Sequence, residues 1–316
     1  MNRPLSLVAI LSSFVACAEG RDTGYEAQVE GNPSAQGATA ADGSSETPAP
    51  VDAADEMPIV DAGVDASGWP TCDTMPSSAN ITSIPDIFAT SASSSTPVQE
   101  WIERVFVTAI SGSKCTTGQA CQIFVQDASY ATLQVAAHHA IRIFISPAVS
   151  QYFTQIALDD RVNVLGYAVS DATNEGMVVV SPSLPGCMKK NGTGKVTPVT
   201  GVLLSDLTHD AYKYSLGPVL VKVSNLSGKP DASPMKTFGL WPTGDGGPFD
   251  AGPASQIVSL SPFFLPSNTF IGLTGGQTTR FATVTGVFGL FAASSDAGPR
   301  TEYLEIYPRT SADILQ

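Results

Sequence analysis

Positive charge is what this 316-residue chain has least of: 16 Lys and Arg stand against 29 Asp and Glu, for a formal net charge of −13. A polyanion-binding protein shows a clear basic excess, so this balance disfavours nucleic acid as the partner of the chain as a whole. Catalytic signatures are missing too. The sequence holds no G-x-S-x-G elbow, no H-E-x-x-H, no P-loop and no G-x-G-x-x-G. Nothing in it therefore asks for a nucleophile on a sharp turn, a zinc hydrolase or a phosphate-cradling loop. No enzyme and no cofactor are expected. Long helical periodicity is also absent, which excludes a helical bundle.

What is present begins at the N-terminus. Arg3 is followed by an apolar run from Leu5 to Ala16, and small residues lead into Phe14-Val15-Ala16-Cys17. The run is too short to span a membrane and reads as a secretory signal peptide, residues 1–16. Its end resembles the lipobox of bacterial lipoproteins, with Phe14 where that family usually has Leu. The resemblance implies that Cys17 carries lipid and becomes the mature N-terminus. An ordinary cleaved signal peptide that happens to contain a cysteine is the alternative. Ala18, rather than Asp, follows the cysteine, which in such lipoproteins implies the outer membrane.

Residues 18–70 are Ala, Gly, Ser, Pro, Asp and Glu with hardly an aromatic, a composition that cannot bury enough surface to fold. Eleven acidic side chains, Glu19 through Asp65, face one base, Arg21. As a flexible chain the segment spans roughly 40 Å root-mean-square, and self-repulsion extends it further. Residues 17–70 thus read as a lipidated cysteine and a disordered acidic linker, against the alternative of a pro-segment. Without it the charge argument changes: residues 71–316 carry 18 acidic and 14 basic side chains, a net −4.

Four cysteines remain after Cys17: Cys72, Cys115, Cys121 and Cys187. An even number in an exported chain suggests two disulfides, with three connectivities open. In one of them Cys115 and Cys121 bridge the neck of a hairpin and Cys72 pins the lead-in segment, 71–100, to Cys187. Zinc is the competing reading, but paired C-x2–4-C spacing is absent.

From Trp101 onward, short β-rich runs are broken by Gly, Pro, Ser and Asn, the pattern of an all-β class. The runs match between halves. Val105 pairs with Val219 and Phe124 with Phe238 at an offset of 114, and Ile143 with Val258 at 115. Val162 pairs with Ala282 at 120, and Met177 with Tyr303 at 126. Two copies of one unit are expected, 101–195 and 196–316. In the first, strands fall near 104–110, 122–127, 141–145, 161–170 and 176–180, with about two turns of helix over Ala148–Ile156. Five strands with a helix before the fourth is the order of an OB-fold, a Greek-key barrel. Gly166 and Gly286 suit the bend where a barrel strand changes sheets, and Val162, Val164, Gly166 and Ala168 mark an inward face. A β-sandwich is the rival architecture.

The succession "VFVTAIS…FVQD…IFIS…DDRVNVLGYAV", "LLSDL…GPVLVKVSN" and "YLEIYPRTSADI" resembles the OB-like domains of bacterial secreted proteins. These include the non-catalytic region preceding the catalytic domain of extracellular nucleases. The resemblance covers roughly 95–315, and the lipobox, stalk and disulfides look like myxobacterial lipoproteins. It implies a barrel accessory or binding module without nuclease chemistry.

Candidate sites follow from the barrel reading. OB-folds bind through strands 2 and 3 and the loops after strands 1 and 4. With Ile141, Ile143 and Ile145 inward, Arg142 and Phe144 face outward, beside Phe124 and Gln126 on strand 2 and Lys114 at the rim. Aromatics with an Arg and amides stack on bases or sugars. The alternative is that Phe124 and Phe144 pack inside or against the other copy. Asp206, His209 and Asp210 in "SDLTHD" form a metal or acid–base candidate, with a polar capping turn as the alternative. His138 and His139, adjacent before a strand, point to opposite faces and are ill placed to share a metal. Asp245 and Asp250 lack the spacing of a calcium loop. The sequons at Asn80, Asn191 and Asn225 are short motifs in a chain read as bacterial.

The function expected is a cell-envelope lipoprotein displaying a non-catalytic OB-like interaction module on a flexible tether. Its partners would be the membrane through lipid and an envelope protein or glycan. The alternative is a nucleic-acid-binding accessory protein. Oligomeric state is left open.

Overall fold

Val, Ile, Phe and Thr, which suit a pleated half-buried surface, fill the runs that become strands. The structure is a computed structural model that describes residues 68–77, 79–91, 97–170, 176–209, 216–230, 238–242, 258–261, 264–265, 278–293 and 301–316. Cys17, the signal peptide, residues 18–67 of the linker, Asp210, Asp245 and Asp250 lie outside the described residues.

The first barrel is built from β2 (Val98–Ile110), β3 (Cys121–Gln126), β4 (Ala140–Ile145), β5 (Asp160–Ser170) and β6 (Gly176–Val180). The order around it is β2-β3-β4-β6-β5, and β5 pairs back onto β2 to close it. β4 and β6 run parallel and the other neighbours antiparallel. The second barrel repeats this order. It comprises β9 (Leu220–Pro230), β10 (Phe238–Pro242), β11 (Val258–Leu260), β12 (Thr279–Ala293) and β13 (Thr301–Tyr307). β12 closes on β9, and β11 and β13 are the parallel pair. Closed five-stranded barrels with the third and fifth strands parallel are OB-like. Short strands β1 (Asn80–Ile81), β7 (Cys187–Thr193), β8 (Val199–Val202) and β14 (Ile314–Leu315) extend the sheets at their edges.

The register shows how the halves correspond. Across the first sheet runs the row Ile110, Ile123, Ile143, Val178; across the second runs Gly228, Leu240, Val258, Leu304. The expected matches at the third and fifth strands hold this row. Those at the first two strands slip: the row sets offsets of 118 and 117 where 114 was expected. Alternating apolar residues align with themselves when shifted, so pattern alone does not locate a strand along its length. Bulges compound the slip, since β2 shifts register between Val107 and Ala109 and again between Ile102 and Val105. At the second of these, Arg104 adopts φ 58°, and its N–H donates to Asn163 Oδ1 at 3.0 Å. Such bulges bend a strand around a barrel corner.

Inside the first barrel, Val105, Val107, Ile123, Ile141, Ile143, Ile145, Val162, Val164 and Val178 are all buried. Gly166 and Gly286 lie where the fourth strand crosses the fifth. A Cβ at Gly166 would stand 2.3 Å from Val178 Cγ1, and one at Gly286 would stand 2.6 Å from Tyr307 O. Only glycine permits that approach.

Two helical features stand outside the barrels. Where about two turns of helix were expected over Ala148–Ile156, a 3-10 helix runs over Pro147–Phe153. Ser150, Gln151, Thr154 and Gln155 each hydrogen-bond with their side chains to the carbonyl three residues back. Such back-bonding competes with α-helical pairing. In the lead-in segment a helix, α1 (Ile84–Ser91), sends Ile84, Ile87 and Phe88 into the first barrel's core. Its start is capped by Ser83, whose Oγ accepts from Asp86 N–H at 3.4 Å and donates to the Asp86 carboxylate at 2.5 Å.

The disulfides are Cys115–Cys121 and Cys72–Cys187, so these four cysteines are not zinc ligands. Cys72 and Cys187 sit with Ala79, Trp101 and Leu165 in a small apolar cluster outside the barrel, tying the lead-in segment to β7. That bridge closes a separation of 115 residues against 6 for the other. The joint replacement Cys72→Ser and Cys187→Ser is expected to cost about 2–5 kcal/mol of stability. The matching Cys115→Ser and Cys121→Ser pair should cost less, and urea midpoints of the two double variants compare them directly.

Candidate binding face

Alternation puts one set of side chains of β3, β4 and β6 inside the barrel and the other on its outer wall. The outward set is Gln122, Phe124 and Gln126 on β3, Arg142 and Phe144 on β4, and Met177 and Val179 on β6. Strands 2 and 3 of an OB-fold present their ligand face here. In this chain the face is largely covered. Phe124, Gln126, Phe144, Met177 and Val179 are all buried, and Arg142 is half-buried. Lys114, in the loop after β2, is exposed.

The cover over Phe124 and Gln126 is the second barrel. Phe124 meets Phe264 with ring centroids 5.1 Å apart, and Phe264 meets Tyr307 at 5.1 Å. Around them Ala109, Val196, Leu220 and Val287 complete a cluster drawn from both halves, with Phe106 packed against it. Gln126 has no exposed surface at all. Its Nε2 donates to Ala128 O at 2.5 Å, and its Oε1 accepts the N–H of Leu220, the first residue of β9, at 3.0 Å. Of the five residues expected to form a binding face, Phe124, Phe144 and Gln126 are therefore inside the molecule. The physical reason is that a Phe on an outer wall is covered whenever a neighbour can cover it.

The loop between β3 and β4 adds a second contact. It carries α2 (Leu133–Ala136), whose Leu133 and Ala136 join the second barrel's core cluster, and Ser129 Oγ accepts from Thr197 N–H at 2.7 Å. The neck of this loop is closed by residues that flank the Gln126–Ala140 pair. Asp127 N–H donates to His139 O, and His139 Nδ1 lies 2.7 Å from Asp127 Oδ2. Tyr130 OH is 2.7 Å from both Asp127 Oδ1 and His139 Nδ1. With the Asp127 carboxylate as acceptor, Nδ1 is the protonated nitrogen of His139. Burial, aided by the Asp127 hydrogen bond and charge, pushes the Tyr130 hydroxyl above its ordinary pKa. Sequence reasoning missed Asp127 and Tyr130, although a residue ending one strand and a residue preceding its hairpin partner must face each other.

His138 points elsewhere from His139, as expected of neighbours. Its ring stacks on Phe88 at 4.8 Å, its backbone has φ 63°, and its N–H donates to Leu216 O. Burial first, and then the His139 charge, lower its pKa below 6.5. Beside it Gly217, at φ +67°, brings the inter-barrel chain within a Cβ distance of 3.0 Å from Ala140 O.

The remaining candidates separate. Asp206 Oδ2 accepts the N–H of Leu203 at 2.9 Å and so caps α3 (Leu204–Thr208), while His209 follows that helix as its C-cap. This is the local capping turn. Among the described residues no three His, Cys, Asp or Glu side chains converge as a metal site. Four of the described cations are ion-paired: Lys189 with Asp73, Lys190 with Asp160, Lys195 with Asp159 and Arg309 with Asp313. The Asp73 carboxyl is held below its ordinary pKa, chiefly by its hydrogen bond from Lys189. Glu100, which accepts from the Thr82 hydroxyl, is raised by burial.

Gln126→Ala leaves the Leu220 N–H buried without its acceptor and is expected to cost about 1–3 kcal/mol. Denaturant melts of the variant measure the loss. His138 sets a pH dependence. Its folded pKa lies below the unfolded 6.5, so the stability it contributes is present above 6.5 and is lost as pH falls from 6.5 through the folded value. Glu100 acts oppositely, losing its contribution as pH rises from 4.5 through its raised folded value. Melts at pH 7.5 and 5.5 should show a smaller stability difference for His138→Gln than for the natural chain.

No family model matches this chain, and no curated protein matches it. Solved structures are similar to it. A murine DNA-binding protein bound with double-stranded DNA shares 14% identity over 68% of this chain and 95% of that one, at a TM-score of 0.29. The HINa domain of Ifi202 in complex with a 20-bp double-stranded DNA shares 11% over 66% of this chain and 91% of that one, at 0.26. A replication protein A heterotrimer bound to single-stranded DNA shares 12% over 66% of this chain and 47% of that one, at 0.27. Likeness of this degree carries no argument, and it is the strand order and register that make this chain a tandem of OB-like barrels.

Proposed function

We propose that the protein is an exported lipoprotein of the cell envelope that displays a non-catalytic OB-like interaction module. Cys17 is the lipidated residue, residues 18–67 are the tether, with Trp69 of the segment expected to be linker already packed on the first barrel's core, and the outer membrane is the destination that Ala18 implies. The observation that carries the module reading is the covered face: the second barrel lies over Phe124 and Gln126, where an OB-fold would stack a single strand. The near-neutral folded part, with 18 acidic and 14 basic side chains over 71–316, supports the same reading. The partner is then an envelope protein or a glycan, met on surfaces other than that face.

Two measurements test it. Metabolic labelling with an alkyne-bearing palmitate should tag the natural chain, and Cys17→Ser should abolish the tag and move the protein to the soluble fraction. Fluorescence anisotropy of the soluble Cys17→Ser chain with single-stranded oligonucleotides should show no binding at physiological salt. A sub-micromolar Kd that weakens roughly tenfold or more between 50 and 200 mM salt would instead establish the nucleic-acid accessory reading.

A further inference from the structure

With the outer wall of β3 and β4 covered, the first barrel's open surface includes the rim beyond β2. The loop there, Lys114–Ala120, exposes Lys114, Thr116, Thr117, Gly118 and Gln119. It is nonetheless held at two points. Cys115 and Cys121 close it by a disulfide, and both are buried in the barrel core. Its tip is anchored by the Gly118 N–H, which donates to the fully buried Ser150 Oγ at 2.9 Å. Exposed polar residues on a loop restrained at base and tip are pre-organised, so a ligand would lose little loop entropy on binding them.

Ser150 belongs to the 3-10 segment Pro147–Phe153, which brings a second set of groups to the same rim. Tyr152 stacks on Trp69 with centroids 4.9 Å apart and planes 2° from parallel, and both rings are only half-buried. Gln151 and Gln155 are exposed and use one N–H each on a local carbonyl. An amide has two N–H donors and an oxygen acceptor, so each retains hydrogen-bonding capacity toward solvent. Amides, hydroxyls and an aromatic pair with one cation, Lys114, favour a neutral polyhydroxylated ligand over a polyanion. Hydrogen bonds from planar amides and stacking on an aromatic face are how a sugar ring is held.

We propose that this rim, formed by the disulfide-locked loop Lys114–Ala120 and the Trp69–Tyr152 stack on the Pro147–Phe153 segment, is a binding site for a neutral oligosaccharide. The site rests on the interaction-module reading and names its ligand class.

The test uses the full-length Cys17→Ser chain and two probes, the tetramer of N-acetylglucosamine and maltotetraose, with a sulfated oligosaccharide as the polyanion control. Calorimetry should show saturable binding of at least one neutral probe. Amide chemical-shift changes should fall on residues 114–120 and 148–155. Tyr152→Ala, and separately the exposed pair Gln151→Ala and Gln155→Ala, should weaken binding at least tenfold. Cys115→Ser with Cys121→Ser, shown by circular dichroism to keep its strands, should weaken it by a similar factor through loss of loop order. The proposal is overturned by no saturable binding of either neutral probe at millimolar concentration, by shifts confined to other surfaces, or by preference for the sulfated probe. If the neutral probes fail while Cys17-dependent palmitate labelling stands, the site falls and the envelope-module reading does not.

Discussion

The contact between Phe124 and Gln126 of one barrel and Phe264, Tyr307 and Leu220 of the other decides what surface this protein has to offer. An OB-like barrel alone leaves an apolar outer wall on its second and third strands. Here that wall is covered at Phe124 and Gln126 by a second barrel, in which Val287 and Tyr307 lie on the fourth and fifth strands. The arrangement is apolar at its centre, with a buried polar contact beside it. Gln126 satisfies the first N–H of β9, which would otherwise be buried without a partner. A buried amide of this kind contributes little net energy, yet it penalises any other register between the barrels.

Other features depend on that contact. The loop from Asp127 to His139 reaches across and delivers Leu133 and Ala136 to the second core. The Asp127–Tyr130–His139 cluster holds the base of that loop closed, and His138 turns through a positive φ to lie against Phe88. Leu216 and Gly217 then pass so close to the first barrel that a side chain at Gly217 would press on Ala140 O and Phe88. The two barrels thus belong to one compact unit, Asp61–Gln316, with shared core residues.

Much of the barrel was legible in the sequence because strand alternation and strand order are local. The inward set Val162, Val164, Gly166 and Ala168 and the bend at Gly166 follow from period-two patterning and from what glycine permits. Less legible were positions set by partners. Val105 against Val219 was a plausible match by composition, but hydrogen-bond register displaced it, because bulges at Ile102/Val105 and Val107/Ala109 insert residues that no pattern announces. The helix Ile84–Ser91 was legible in principle, through Ser83 and Asp86 at capping-box spacing, but is too short to show periodicity. The helix expected over Ala148–Ile156 forms over Pro147–Phe153 as a 3-10 helix, in which the Ser150 hydroxyl bonds back to Pro147 O.

The sequence by itself determined the class of fold, the acidic segment unable to form a core, and the residues able to pair as disulfides. These depend on composition, periodicity and the chemistry of single side chains, all carried within a few residues. Tertiary structure alone decided that Phe124, Phe144 and Gln126 are interior while Thr116, Gln119 and Gln151 are exterior. An outward-facing residue on a strand is outward only with respect to its own barrel. Whether it meets water or another barrel depends on residues far along the chain, such as Leu220, 94 positions from Gln126, and Phe264, whose approach no local pattern encodes.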